Sequence, residues 1–364
     1  MSEWVSLKLK IAGALNRLVL GDENDHSFER YLTSSSHYFP MAGLDTWAFE
    51  QTADPEIQAA LHEFTAHQHF SWLYDINDGA WCDARTGAVV TSSGRFLRRS
   101  STYWQLHEQP SLSMLRSFGK RRLLREVTRL PLAASVRDPV DLNFWHFHDD
   151  VLSRLVMLDE NGFAPDIPLL ISPALHDSRF FRHLRRRGEL ADRNWVRHDG
   201  LVYADRLVVP IRGSLRASTV KGVQRLLGSA PVAASSEKIF LVRSSERSRY
   251  ITNQAEVEEA LGPLRVVDAD LLSVQEQIEL FQNAGTVVAA HGAGLTNLMH
   301  RAGAPCNVIE LFPSNYIRPH FAQLARAHGF TWRAVICGPV TDDGGFSVNS
   351  AARARLREFV AEAV

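Results

Sequence analysis

The last third of the chain alternates short apolar, β-branched segments with amphipathic helical segments, and this alternation constrains the fold more than any other feature. Five strands are predicted in it, at residues 238–242, 264–267, 286–290, 307–311 and 330–336. Helices are predicted between and after them, at residues 254–261, 273–284, 293–301, 318–328 and 349–363. Strands that alternate with helices favour a parallel, doubly wound α/β sheet, which binds ligands at the carboxyl ends of its strands.

The middle of the chain has a similar but less regular pattern. Strands are predicted at 130–136, 167–171 and 201–209, and helices at 144–158, 178–189 and 214–227. A linker of small residues follows the last of these helices, and 364 residues are enough for two domains. We therefore predict an N-terminal domain over residues 1–215 and a C-terminal Rossmann-like domain over residues 216–364. The first 110 or so residues are predicted to be irregular, with short helices around 55–70.

Charge and cysteine content exclude several classes of protein. The formal net charge of −1 argues against a dedicated nucleic-acid binder. Cys82, Cys306 and Cys337 form no CxxC pair, which disfavours structural zinc and a disulfide framework. No apolar stretch approaches the length of a spanning helix, so we expect a cytoplasmic protein. Basic stretches at 120–125 and 179–187 are typical of solvated faces, and they leave peripheral membrane contact open.

A glycine-rich turn after the predicted strand 286–290 is the strongest local signal. His291-Gly292-Ala293-Gly294 leads directly into a predicted helix that contains Asn297. The glycines allow a ligand to approach the backbone, and the start of a helix offers free N–H groups to an anion. A nucleotide diphosphate fits such a site. The alternative is an ordinary tight turn with a capping histidine.

Charged residues follow two neighbouring strands of the same predicted sheet. Arg243 and Arg249 flank the end of strand 238–242, and guanidinium groups bind diphosphates through paired donors. Glu310 lies at the end of strand 307–311, where a carboxylate can accept the hydroxyls of a ribose. Each has an alternative interpretation, because charge runs are usually solvated loops and a lone carboxylate is usually a surface residue.

A polar cluster, Asn143-Phe144-Trp145-His146-Phe147-His148-Asp149-Asp150, opens the predicted helix 144–158. His146 and Asp150 are four residues apart and share a helix face, so a carboxylate that orients an imidazole, or that acts itself, would provide a general base. The cluster could also be an acidic first helical turn, or a metal site. A helix places His146 and His148 about 200° apart, which disfavours their sharing one metal ion.

Five segments taken together resemble glycosyltransferase family 61. They are Ile239–Arg243, Arg249–Asn253, Leu272–Ile278, Ala290–Asn297 and Val308–Pro313. The cluster Asn143–Asp150 resembles the Asn…His…Asp segment that precedes the first long helix of that family, and the similarity extends over roughly residues 130–340.

The resemblance implies a GT-B fold, in which two Rossmann-like doubly wound domains face a cleft. It implies an inverting transfer without a metal or any other cofactor, from a nucleotide sugar such as a UDP-sugar to a glycan or lipid-linked acceptor, as in polysaccharide or capsule biosynthesis. It assigns deprotonation of the acceptor to Asp150 with His146. It assigns donor binding to Arg243, Arg249, His291, Gly292, Ala293, Gly294, Asn297 and Glu310.

Rival functions lack their sequence signatures. A dehydrogenase would require GxGxxG after a strand, and a hydrolase would require GxSxG, but neither pattern occurs. Asp268-Ala269-Asp270 resembles a metal-binding DxD motif, but its position before a helix cap is typical of a loop. A catalytically degenerate protein that binds a nucleotide sugar or a glycan stays an alternative.

Overall fold

A computed structural model of the chain describes residues 55, 57–59, 72–83, 87–93, 96–97, 127–138, 140–211, 217–318 and 320–363. Of these, residues 72–211 belong to one compact unit, and residues 217–363 form a second unit together with 55 and 57–59. Both units contain sheets flanked by helices, so the predicted α/β class is confirmed. Within the described ranges, no helix has the length and apolar character that crossing a membrane requires.

The first unit contains one sheet of eight strands. They are β1 (Trp72–Ile76), β2 (Ala80–Asp83), β3 (Val89–Thr91), β4 (Phe96–Leu97), β5 (Val127–Ser135), β6 (Leu169–Ile171), β7 (Trp195–Arg197) and β8 (Leu201–Ile211). Their order is β4-β3-β2-β8-β5-β6-β7, and β1 also pairs with β8. The neighbours β8, β5, β6 and β7 are parallel, whereas β1 to β4 are antiparallel to their partners. The sheet of this unit is therefore mixed rather than purely parallel.

Strands β1 to β4 lie where the sequence predicts irregular structure, and this expectation needs correction for the described residues. Asn77-Asp78-Gly79 is the turn between β1 and β2, which pair with successive stretches of β8. These strands are short, with at most five residues, so no alternation long enough to identify them is visible. Of the helices expected around 55–70, the structure describes residues 55 and 57–59, which are helical. The remainder of that expectation lies outside the described residues.

Helix α1 carries the polar cluster of the first unit. It runs continuously through an α-helical turn (Phe144–His146), a π-helical turn (Phe147–Leu152) and a regular α-helix (Ser153–Glu160). The Asn143 side chain accepts a hydrogen bond from the Trp145 main-chain N–H at 2.9 Å, which caps the start of the helix. The predicted helix 178–189 corresponds to the shorter helix α3 (Arg179–Leu184), which a separate 3₁₀ turn follows. Helix α2 (Pro173–Asp177) precedes it.

The second unit contains a parallel sheet and a separate strand pair. Its strands are β9 (Glu237–Val242), β10 (Tyr250–Ile251), β11 (Arg265–Asp268), β12 (Ala284–Ala290), β13 (Asn307–Pro313), β14 (Thr331–Cys337) and β15 (Gly345–Phe346). The sheet order is β11-β9-β12-β13-β14, all parallel, and β10 pairs with β15. The direction of winding therefore reverses between β9 and β12. In open α/β sheets, the crevice at such a reversal is the usual ligand site.

Helices cover the sheet of the second unit. They are α4 (Ala217–Leu226), α5 (Gln254–Leu261), α6 (Val274–Asn283), α7 (His320–His328) and α8 (Ser350–Glu362). The predicted capping box of α6 is present, because Ser273 and Glu276 bond each other's main-chain N–H groups. The segment predicted as helix 293–301 is instead a 3₁₀ helix, Ala293–His300. Apolar side chains of the strands, such as Phe240 and Val288, pack with those of α5 and α8 into one core.

Candidate active site

The carboxyl ends of β9 and β12 lie side by side at the point where the winding of the second sheet reverses. Arg243 directly follows β9, and His291 directly follows β12. Nη1 of Arg243 donates to the His291 main-chain oxygen at 3.2 Å, and Nε of Arg249 donates to the same oxygen at 3.1 Å. The structure thus brings together three of the residues that the sequence assigns to one anion site.

Positive charge at this sheet edge is partly desolvated and lacks a directly bonded counter-charge. Burial, followed by the nearby charge of Arg249, lowers the pKa of Arg243 to about 10. Among the described residues, no Asp or Glu forms an ion pair with either arginine. Arg249 also has a positive φ of 61°, a left-handed conformation that costs a non-glycine residue about 1–2 kcal/mol. Such strain is typical of functional sites, where the surrounding structure maintains it.

The glycine turn leaves room for the arginines and for a ligand. A side chain at Gly292 would collide with the guanidinium group of Arg243, so only glycine lets that group rest against the turn. A Cβ atom at Gly294 would meet only the Leu241 side chain, at 3.9 Å. The backbone at Gly294, in the first turn of the 3₁₀ helix, is therefore accessible to a close ligand.

Ala293 and Asn297 belong to the 3₁₀ helix that follows the turn. The Asn297 amide is fully buried and donates to the Gly294 main-chain oxygen at 3.1 Å and to the Gln277 side chain at 3.0 Å. These bonds fix the turn to helix α6. A direct contact of Ala293 or Asn297 with a donor stays a prediction.

Beneath the turn, His291 and Glu310 form a buried pair. Nδ1 of His291 lies 2.5 Å from Oε1 of Glu310, and Nε1 of Trp332 donates to Oε2 at 2.9 Å. Glu310 is 0% exposed, and burial raises the pKa of its carboxyl to about 8. Burial, and then the charges of the neighbouring arginines, hold the pKa of His291 well below its usual value. Both shifts favour the form of the pair in which the carboxyl group is protonated and the imidazole is neutral.

This arrangement differs from the ribose contact that the sequence suggests for Glu310. Both oxygens of its carboxyl group have partners within the protein, and none of its surface is exposed. In this conformation the Glu310 carboxyl group is hydrogen-bonded to the His291 ring and fixes its orientation. The register of β13 and β14, which places Glu310 beside Ala334 and brings Trp332 near, is the reason. The ribose contact stays a prediction.

In the first unit, helix α1 brings His146 and Asp150 into direct contact. Nδ1 of His146 lies 2.6 Å from Oδ2 of Asp150, as the spacing of four residues predicts. The two groups differ in accessibility, since the His146 side chain is 27% exposed and that of Asp150 only 3%. The accessible member of the pair is therefore the imidazole, which the carboxylate orients. Both residues lie at or beside the π-helical turn, a feature that often marks functional sites.

Asp138, just after β5, adds a second carboxylate that sequence reasoning missed. One of its oxygens accepts from Nη2 of the buried Arg154 at 3.2 Å. Asp138, His146 and Asp150 each offer one ligand atom, and these atoms lie within 4.8 Å of one another, so the group could hold a cation. The guanidinium group of Arg154 already supplies positive charge on one side. The signal in the sequence was the polar pair Arg137-Asp138 at the end of an apolar strand.

His148 takes no part in that group. It is fully buried, its Nδ1 lies 2.8 Å from the Phe144 main-chain oxygen, and burial lowers its pKa to about 4. A neutral ring bonded within its own helix is a packing element. This agrees with the expectation that His146 and His148 do not share one metal.

The motif Asp268-Ala269-Asp270 forms a turn, as its position in the sequence indicates. Oδ1 of Asp268 accepts from the Asp270 main-chain N–H at 2.9 Å, and Asp270 pairs with Arg247 at 2.9 Å. Both aspartates are near enough to Arg243 to act on its charge, but neither bonds to it.

The second unit thus belongs to the doubly wound α/β proteins that have polar groups at the winding reversal. Residues 144–309 match the model of the family described as Glycosyltransferase 61, and this region includes α1 and the turn after β12. The resemblance stated from the sequence is therefore confirmed over residues 144–309.

Similar curated proteins come from plants. The chain is 38% identical over 64 residues to a β-1,2-xylosyltransferase, RCN11, of Oryza sativa subsp. japonica. It is 31% identical over 64 residues to a β-1,2-xylosyltransferase of Arabidopsis thaliana. Each match covers 18% of this chain and 12% of the relative.

Among solved structures, the metal-soaked Flv1 flavodiiron core from Synechocystis sp. PCC6803 aligns with a TM-score of 0.27 and 12% identity. That alignment covers 44% of this chain and 42% of the other. A similarity this weak carries no argument about fold or function.

Proposed function

We propose that the protein is a glycosyltransferase that moves a sugar from a nucleotide donor, UDP-linked, to a hydroxyl of a glycan or lipid-linked acceptor. The single observation that carries the proposal is the convergence of Arg243 and Arg249 on the His291 carbonyl at the winding reversal. Unpaired guanidinium groups at this position suit a diphosphate. The family of residues 144–309 supports the same reaction.

The donor site would act on the leaving group. In an inverting transfer, the acceptor oxygen forms a bond to the anomeric carbon while the bond from that carbon to the diphosphate oxygen breaks. The bonding electron pair departs with UDP, whose negative charge grows during the step. Arg243 and Arg249 are fixed beforehand and can stabilise that charge without reorganising. Fixed cations of this kind would do the work of a metal, so we propose a metal-independent reaction.

The acceptor side of the reaction would use the His146–Asp150 pair. As the acceptor hydroxyl attacks, its proton must move to a base, and the accessible imidazole of His146 can receive it. Asp150 would fix the imidazole tautomer through Nδ1 and stabilise the imidazolium ion that forms. A GT-B fold, with a donor unit and an acceptor unit, and a cytoplasmic location complete the proposal.

Replacing Arg243 or Arg249 with alanine should weaken UDP binding by roughly 10- to 100-fold, because each change removes a charge-assisted hydrogen-bond donor. Isothermal titration calorimetry with UDP would measure the change. Arg247→Ala is the matched control, since Arg247 lies in the same loop but is exposed and paired with Asp270. UDP affinity that stayed at the wild-type value in both variants would remove the basis of the donor site.

Incubation with EDTA should leave the transfer rate within about twofold of the untreated protein. The reason is that guanidinium groups rather than a metal would stabilise the leaving group. Release of UDP from a panel of UDP-sugars, before and after EDTA and after addition of manganese, would measure this. A rate that vanished with EDTA and returned with manganese would contradict the metal-independent reaction and direct attention to Asp138, His146 and Asp150.

A further inference from the structure

A third arginine lies beside the two that define the candidate donor site. The guanidinium carbon of Arg249 is 4.6 Å from the centre of the Tyr316 ring, and that of Arg318 is 4.8 Å from the same centre. The His291 ring lies 5.6 Å from Tyr316. Tyr316 therefore contacts two cations and lies next to the turn after β12. Cation–π contacts of this length are attractive and help to fix a guanidinium group in place.

These cations lack a directly bonded carboxylate, although Asp268 and Asp270 act on the charge of Arg243 from a distance. Among the described residues, no Asp or Glu forms an ion pair with Arg318, Arg249 or Arg243. All three act on the same histidine, because each of them disfavours the protonated form of His291. Elsewhere in this unit, Arg247, Arg265 and Arg355 do have acidic partners. Like charges that lie around one point without a bonded counter-ion repel one another, and a bound anion would reduce this repulsion.

We propose that Arg318 is a third cation of the donor site, where it binds the diphosphate, and that Tyr316 is the positioning residue that holds Arg318 and Arg249 together. This inference rests on the proposed function and names two residues that the family resemblance did not assign. A third cation matches the chemistry of transfer, since UDP leaves with more negative charge than it has in the UDP-sugar. It also extends the site from β9 and β12 to the segment after β13.

The test uses the full chain with two probes, UDP and inorganic pyrophosphate, whose binding is measured by calorimetry. Arg318→Ala should weaken both by about tenfold, and Arg318→Lys, which keeps the charge, by less. Arg355→Ala is the matched control, because Arg355 also stacks on an aromatic ring, Phe359 at 4.5 Å, but pairs with Glu358. It should bind both probes as the wild type does.

Tyr316 provides the second arm. Tyr316→Phe retains the ring and should bind UDP normally, whereas Tyr316→Leu should weaken UDP binding by about as much as Arg318→Ala. A thermal unfolding scan without ligand would identify a variant that has lost its fold. In that case UDP binding by Arg318→Lys is compared with that of the wild type instead.

The outcomes separate this inference from the proposal on which it rests. Wild-type binding of UDP together with unchanged binding by Arg318→Ala would overturn the role of Arg318 and leave the donor site intact. An equal loss in Arg355→Ala would show a general charge effect and would also overturn it. Failure of the wild-type chain to bind either probe would overturn the donor site itself, and the third cation with it.

Discussion

Asp150→Asn should lower the rate of sugar transfer by about 10²- to 10⁴-fold, the range expected for loss of general base catalysis, and should leave UDP affinity unchanged. In the wild type, the carboxylate lies 2.6 Å from Nδ1 of His146, so Nδ1 carries the hydrogen, and Nε2, which carries none, can take a proton. An asparagine amide can instead donate to Nδ1. The accessible nitrogen would then carry the hydrogen and could no longer act as a base.

The matched control is another histidine–aspartate pair of the same unit. Asp177 lies 2.8 Å from Nδ1 of His176 on helix α2, but its side chain is 59% exposed, whereas that of Asp150 is 3% exposed. Asp177→Asn should transfer sugar at the wild-type rate. Release of UDP with acceptor present would measure the rates, and the double variant of His146 and Asp150 should be no slower than the slower single variant. A wild-type rate in Asp150→Asn would show that the pair is not the base.

The parallel sheet of the second unit was predictable because its strands have strong periodic signals. Strands β12 and β13 are apolar, β-branched runs bounded by turns, and both lie within about two residues of the predicted bounds. In the first unit, β1 to β4 were missed. Strands β1 and β2 pair with β8, more than 100 residues away, and β3 and β4 join the sheet through β2. The local sequence does not identify the distant partner on which this arrangement depends.

Site residues could be predicted where they follow strands. Parallel strands end at one edge of a sheet, so Arg243 and His291 were expected to meet, and they do. Tyr316 and Arg318, whose contacts depend on packing between elements, were not found. Asp138 was missed although it lies shortly after the end of β5. The burial of Glu310 did have a signal, because a carboxylate inside Val308-Ile309-Glu310-Leu311-Phe312 faces a core and needs partners there. Which partners it finds depends on the register of β14.

The free energy of unfolding of the second unit should fall by about 1 kcal/mol as the pH rises from 6.5 to 8. The reason is the proton that the buried pair of His291 and Glu310 retains. In the folded chain, burial raises the pKa of Glu310 to about 8 and keeps His291 neutral. In the unfolded chain, the glutamate loses its proton near pH 4.5 and the histidine near pH 6.5.

The sign follows from counting protons on this pair. Between about pH 4.5 and 6.5, both states hold one titrating proton, on Glu310 when folded and on His291 when unfolded. The pair therefore does not change the free energy of unfolding with pH in this range. Between pH 6.5 and 8, the folded pair keeps its proton while the unfolded pair has lost it. The stability that the raised pKa of Glu310 provides is therefore lost as the pH rises through that pKa. His148 and His328, whose pKa values burial also lowers, change stability only below pH 6.5.

Glu310→Gln should abolish the fall between pH 6.5 and 8, since an amide does not titrate. The glutamine oxygen can still accept from Trp332, and its amide can donate to Nδ1 of His291, so no buried polar atom loses its partner. Urea denaturation followed by tryptophan fluorescence at several pH values would measure both proteins. Glu256→Gln is the control, because Glu256 forms an exposed pair with Arg353 and should keep the wild-type pH dependence. A wild-type stability that stayed level from pH 6.5 to 8, or a fall that persisted in Glu310→Gln, would show that the buried pair holds no such proton.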